Sequence, residues 1–250
     1  MGLNETLKQF EDSELVMSLS QKITAVAKEL GDIRLMHVCG THEHEIVQYG
    51  LRQLLPKSVQ IIPGPGCPVC ICPVELIDQA ITLSYQPGIT VLTFGDMLRV
   101  PATRESLDGA RKNGGSVQMV YGPLDAIKIA RKRPDEKFVF FSIGFETTAA
   151  GTAGMIQKGV PENLFFLIAN RYIPPVFNLL MTVHNKNSLQ GFLLPGHAVT
   201  ITGIHAYDYM EKIYHLPCVV AGFTPVDILS AILNLLLSIR DVSCAIINAY

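Results

Sequence analysis

Three of the chain's six cysteines fall within six residues, in the run Gly64-Pro65-Gly66-Cys67-Pro68-Val69-Cys70-Ile71-Cys72-Pro73. A fourth, Cys39, opens a second cluster, Cys39-Gly40-Thr41-His42-Glu43-His44. Thiols and imidazoles at this density exceed what packing alone requires. They point to soft-metal or redox chemistry.

Cys67-Pro68-Val69-Cys70 has the spacing at which two thiols close a small disulfide ring. A thiol near a helix N-terminus also feels the helix dipole, which favours the nucleophilic thiolate. Pro73 suits the first turn of a following helix, where its missing N–H costs nothing. The plainer alternative is three small hydrophobes in a tight loop. Spacing alone leaves open whether these thiols serve redox chemistry or a metal. In the other cluster Gly40 permits a tight turn. In extended chain His42 and His44 share a face and can hold one ligand, whereas on a helix they diverge. Cys39, Cys67, Cys70 and one histidine are enough for a tetrahedral zinc site. Either histidine alone is equally a hydrogen-bonded loop residue.

Two further turns carry reactive groups. Gly144-Phe145-Glu146-Thr147-Thr148 offers a carboxylate and two hydroxyls. Glu146 can orient a thiol or imidazole or accept a proton, and Thr147 can cap a helix beginning near Thr148. Pro195-Gly196-His197 sets an imidazole in the same kind of turn. His37, His184, His205, His215, Cys218 and Cys244 lack supporting context and read as structural. No P-loop, no glycine-rich dinucleotide turn after a strand and no serine nucleophile elbow occurs, which disfavours nucleotide-dependent chemistry and serine hydrolysis.

The elements that must position these residues alternate. Continuous apolar runs at 33–38, 59–62, 90–94, 117–121, 138–143, 164–169, 191–194 and 218–221 read as strands covered on both faces. Helical patterns occupy 13–30, 45–55, 74–85, 104–112, 124–132, 148–157, 175–183, 207–214 and 226–240. This alternation predicts an α/β fold of two similar lobes, each a mostly parallel sheet flanked by helices, with a cleft between them. The charged run Arg131-Lys132-Arg133-Pro134-Asp135-Glu136-Lys137 divides the strands into two sets, giving lobes at 1–130 and 131–250; a solvated loop is the alternative. Most of the conspicuous residues lie just after a strand, where parallel sheets form their ligand crevice.

Bulk properties exclude several classes. At 250 residues the chain can bury a substantial core. A net charge of −2 with interspersed signs disfavours a nucleic-acid or membrane-surface partner. The N-terminus lacks a signal-peptide pattern, and the apolar stretch 228–239 is too short to span a bilayer. A cytoplasmic protein is expected, where clustered cysteines indicate metal or redox work more than structural disulfides.

Taken together the motifs resemble the HypD family of NiFe-hydrogenase maturation proteins. The resemblance rests on Val38-Cys39-Gly40-Thr41-His42, Gly50-Leu51-Arg52, Leu54-Leu55-Pro56 and the run from Gly64 to Cys70. It continues through the stretch from Thr93 to Pro101, the stretch from Gly144 to Ala149, Leu194-Pro195-Gly196-His197, Ala221-Gly222-Phe223 and the stretch from Pro225 to Leu229. It implies a scaffold that, with the small partner HypC, assembles the Fe(CN)2CO unit of the hydrogenase, with cyanide supplied by HypE and, upstream, HypF. It implies iron at Cys39 together with the partner's N-terminal cysteine, a redox-active dithiol of Cys67 and Cys70, and His42 beside the iron. Thiolate and cyanide both suit low-valent iron. Glu146 and His197 are further catalytic candidates, and His44 is a second candidate metal ligand. The implied protein is a maturation scaffold with redox activity rather than a turnover enzyme. A thiol–disulfide oxidoreductase and a zinc-binding α/β protein are the alternatives.

Two departures follow from the resemblance. Family members carry a C-terminal domain whose cysteines hold a 4Fe–4S cluster, and such a cluster needs four thiolates. After Cys72 this chain has only Cys218 and Cys244, so the cluster domain is expected to be absent. Cys72 and His37 stand where the family leads one to expect other residue types; Cys72 either adds a resolving thiol or packs. The helix at 228–239, apolar nearly all round, is expected to lack part of its covering and lie partly exposed.

Overall fold

The computed structural model describes residues 12–183 and 188–250; His184 lies outside them. In chain order the described strands are β1 (Ile33–His37), β2 (Val59–Pro63), β3 (Ile89–Thr93), β4 (Val117–Met119), β5 (Lys137–Gly144), β6 (Leu164–Asn170), β7 (Gly191–Pro195), β8 (Cys218–Ala221) and β9 (Ile246–Asn248). They form two wholly parallel sheets, ordered β2-β1-β7-β8-β9 and β4-β3-β5-β6. The fold is α/β with two parallel sheets flanked by helices, as the alternating pattern predicts. No helix among the described residues is long and apolar enough to cross a membrane.

The division of the chain differs from the one expected at 131–137. One unit takes the chain up to Gly66 and again from Pro174 to Tyr250, and the other is Cys67–Ile173. The reason is a long-range pairing: β7 returns to β1, with Leu35 opposite Gly191 and His37 opposite Leu193. The second unit is thus an insertion after β2. The charged run is a loop inside it, where Arg133 pairs with Glu136 at 3.0 Å and its guanidinium lies over the Phe138 ring.

In the first unit the helix Ser13–Ala27 is started by Asp12, whose side chain accepts the Glu14 and Leu15 N–H groups. The helix Pro225–Arg240 begins in a capping box of Thr224 and Asp227. It packs against the helix Ser13–Ala27 and against β7 and β8. Ile228, Leu229, Ile232, Leu235 and Leu236 are all fully buried. The expectation of a partly uncovered helix is therefore corrected for most of its surface, which is covered from within the chain, while Leu233, Leu237 and Ile239 are half-buried. Strand β9, too short to read from sequence, closes the sheet and brings Tyr250 over Gly196, where an added Cβ would lie 2.6 Å from Cδ1 of the ring.

In the second unit one face of the sheet packs Val91, Phe141 and Ile143 with Ile77 and Ala80 of the helix Val74–Ser84. The other packs Leu92, Phe138 and Phe140 with Ala126 and Ile127 of the helix Pro123–Lys132.

Candidate functional site

The carboxyl ends of the five-stranded sheet gather the first unit's reactive residues. Cys39 follows β1, Gly64 and Gly66 follow β2, His197 follows β7, Phe223 follows β8 and Tyr250 follows β9. Cys39 is 5% exposed and extended (φ −145°, ψ 128°), and it caps the helix Gly40–Gln48 without a side-chain hydrogen bond. The Gly40 N–H donates to the Gly66 carbonyl at 2.8 Å, and the Gly64 N–H to the His37 carbonyl at 2.8 Å. The Gly-Pro-Gly loop therefore lies directly on the Cys39 backbone. A Cβ on Gly66 would sit 2.6 Å from Cys39 Cα. A hollow of about 410 Å³ that includes Asp32, Arg34, Lys57 and Gln60 lies at the starts of β1 and β2, the edge away from Cys39.

The helix begins at Gly40, not at 45, because extended Cys39 acts as its cap. His42 and His44 consequently diverge: His42 is fully buried and His44 is exposed. His42 Nε2 lies 2.9 Å from the Gly222 carbonyl, an acceptor only, so this nitrogen carries the proton. Its Nδ1 is buried with no hydrogen-bond partner among the described residues. The ring lies 4.9 Å, centroid to centroid, from Phe223, which lies 4.9 Å from His197 on its other contact. His197 is half-buried, and burial lowers its pKa.

His37, which had no visible context in the sequence, is only 1% exposed and hydrogen-bonded to a carboxylate. Its Nε2 is 2.8 Å from Glu43 Oε2, and Arg52 clamps the same carboxylate through two bonds of 3.0 and 2.7 Å. The available signal was position: Glu43 lies inside the cysteine–histidine cluster, and Arg52 follows Gly50, whose φ of 61° sets the turn.

Burial lowers the His42 pKa to about 4, against a smaller opposing effect of its bond to Gly222. The folded-state value lies below the unfolded value of about 6.5, so the unfolded chain takes up this proton first as pH falls. The contribution is intact above pH ~6.5 and lost towards pH ~4, a loss on the order of 3 kcal/mol. Denaturant titrations of the metal-free chain at pH 7.5 and 4.5 should therefore show a larger acid loss in the native sequence than in His42→Phe. Equal losses would contradict the neutral buried assignment.

In the second unit Cys67 and Cys70 form a disulfide. The Cys70 N–H points at Cys67 Sγ at 3.2 Å, and Cys70 is exposed. Cys72 packs beside Val69 against the core, and burial raises its thiol pKa against the opposing pull of Arg171. Glu146 is 4% exposed and opens the helix Glu146–Gln157, capped by Phe145; Thr147 is exposed and is not the cap. Glu146 Oε1 accepts the Ile173 N–H, while Oε2 is buried without a partner among the described residues and burial raises the pKa of the group. A cavity of about 150 Å³ is lined by Pro68 and Val69 of the disulfide loop, Asp96 of the β3 turn, and Gly144 and Thr148 on either side of Glu146.

The first unit thus brings together Cys39, His42 and His197, and the second sets Pro68 and Val69, between the two disulfide cysteines, and Gly144 and Thr148 of the Glu146 turn around one cavity. Neither unit gathers three or more His, Cys, Asp or Glu side chains into a metal cage among the described residues. Cys218 is fully buried in β8, and Cys244 Sγ bonds to the His215 carbonyl at 3.1 Å. These two thiols do not fit a 4Fe–4S cluster, which needs four.

A family described as "HypD: Hydrogenase formation hypA family" matches residues 14–250. A hydrogenase expression/formation protein of Methanocaldococcus jannaschii is 40% identical over 96% of this chain and 67% of its own length. The hydrogenase maturation factor HypD of Rhodobacter capsulatus is 39% identical over 97% of this chain and 66% of its own length. That of Escherichia coli is 38% identical over 91% of this chain and 63% of its own length. The chain spans about two thirds of the length of these relatives.

Proposed function

The chain belongs to the HypD family of hydrogenase formation proteins, and on that premise we propose that it serves hydrogenase maturation as a scaffold on which the iron unit of the active site is assembled. Cys39 holds the iron as thiolate, a soft ligand suited to iron that also carries cyanide and CO. The Fe(CN)2CO unit is cargo, received and passed on. HypC supplies a second thiolate from its N-terminal cysteine, and HypE, charged through HypF, delivers cyanide. Cys67 and Cys70 act as a dithiol: opening their disulfide takes up two electrons and two protons.

The observation that supports this most directly is the placing of Cys39. It is a thiol that makes no side-chain capping bond among the described residues, just after an interior strand of a parallel sheet, at the edge where such sheets bind ligands. Beside it in sequence stands His42, with one nitrogen anchored and the other open. Co-purification with HypC tests the reading. A stable complex that weakens with Cys39→Ala is expected; a folded chain that never retains HypC would count against it.

The exposed Cys70 favours one second reading, a free thiol–disulfide oxidoreductase. That reading predicts turnover of a disulfide substrate that is indifferent to Cys39→Ser, whereas the scaffold has little turnover.

A further inference from the structure

The two sulfurs of the Cys67–Cys70 disulfide have different surroundings. Cys70 is exposed and Cys67 is half-buried. Cys67 is also held by the backbone of the turn that follows it. The Cys70 N–H donates to Cys67 Sγ at 3.2 Å, and the Ile71 N–H donates to the Cys67 carbonyl at 3.3 Å. A third bond, from the Cys72 N–H to the Val69 carbonyl at 3.3 Å, tightens the same turn. These donors are main-chain groups, so opening the S–S bond does not remove them. Cys70 Sγ accepts no such bond among the described residues.

The two differences act on separate parts of one reaction. In thiol–disulfide exchange a thiolate attacks one sulfur, and the other sulfur leaves as thiolate. Access decides which sulfur is attacked, and the more stable thiolate leaves faster. An N–H donated to a sulfur favours its charged form. Exposure therefore selects Cys70 for attack, and the hydrogen bond selects Cys67 as the leaving group. The helix dipole is the competing effect, because Cys70 is nearer to the helix Val74–Ser84. Its influence falls off within about one turn of the helix end. Cys70 lies before the cap, Pro73, so the direct N–H contact on Cys67 outweighs it.

We propose that opening of the disulfide begins at Cys70, where the thiolate of an external dithiol attacks Sγ and Cys67 leaves. This rests on Cys67 and Cys70 acting as a redox dithiol. A new S–S bond forms to Cys70 as the Cys67–Cys70 bond breaks, and the electron pair stays on Cys67 Sγ, beneath the Cys70 N–H. The second thiol of the reductant then closes the reductant's own disulfide and releases Cys70. The external dithiol loses two electrons and two protons, and Cys67 and Cys70 gain them. Reoxidation retraces the path: Cys70 is captured first, and Cys67 closes the ring.

The probe is 2-mercaptoethanol, a monothiol whose adduct persists until a second molecule attacks it. It is added anaerobically to the oxidised full chain, samples are quenched in acid at successive times, and fragmentation mass spectrometry locates the adduct. Reversal regenerates the disulfide, so it cannot carry an adduct from one sulfur to the other. At the earliest times the adduct should lie on Cys70 about tenfold more often than on Cys67. Equal adducts, or an excess on Cys67, overturn the inference and leave the dithiol reading standing. A folded chain in which neither sulfur takes the adduct, although the same thiol opens the bond once the chain is unfolded, overturns the dithiol reading and the inference with it.

Discussion

Cys39→Ser should abolish iron binding by the chain, yet leave it no easier to unfold than the native sequence. Two effects act on stability, and they oppose each other. Burying a hydroxyl in place of a thiol at a site only 5% exposed costs about 1–3 kcal/mol if it stays unbonded. Cys39 is, however, the N-cap of the helix Gly40–Gln48, and its side chain makes no capping bond. Serine is among the preferred N-caps, and a capping hydroxyl is worth about 1 kcal/mol. The hydroxyl has a backbone N–H to accept from and the burial cost is offset. For metal binding there is no such compensation, because a serine hydroxyl stays protonated near neutrality and is a hard donor. Iron content after anaerobic loading and desalting should fall by more than a hundredfold while the unfolding midpoint is unchanged. Stoichiometric iron in the variant would remove Cys39 from the site.

Gly66→Ala should damage both fold and site. An added Cβ would lie 2.6 Å from Cys39 Cα and 2.7 Å from its carbonyl carbon, and closer still to its nitrogen. These are backbone atoms that cannot swing aside as a side chain would. The Gly66 carbonyl also accepts the Gly40 N–H, so moving the loop breaks the contact that seats the start of the helix. Overpacking of this kind costs about 3 kcal/mol, roughly 6–12 °C in Tm for a chain of this size. Gly151→Ala supplies the contrast. Gly151 lies inside the helix Glu146–Gln157 with open space where a Cβ would go, so alanine should stabilise by about 0.5–1 kcal/mol. Calorimetry on the two variants should move Tm in opposite directions. A Gly66→Ala chain with native Tm and native metal affinity would show that the loop does not bear on Cys39.

What was legible in the sequence was mostly local. Strands such as β5 and β8 read as continuous apolar runs because helices cover both sheet faces. The placing of reactive residues after strands followed from the same pattern and survives in the fold. What was not legible depended on distant partners. Nothing near 191 announces that β7 pairs with β1, so the insertion of residues 67–173 between β2 and β7 of one sheet was out of reach. The helix 228–239 looked uncovered because the helix that covers it lies some two hundred residues earlier. His37 looked idle because Glu43 and Arg52 reach it only once the chain has turned back at Gly50. The pairing of His42 with His44 failed for a local reason, since helix begins at Gly40 and two helical residues point about 200° apart.

Cys39 is proposed to hold iron carrying diatomic ligands. This is tested most directly by infrared spectroscopy of the chain purified anaerobically with HypC, from cells that also make HypE and HypF. Absorption bands of iron-bound cyanide and CO are expected in the native complex, and their loss in Cys39→Ser at equal HypC. Undiminished bands in Cys39→Ser, or a native complex with iron bound and no such bands, would contradict it.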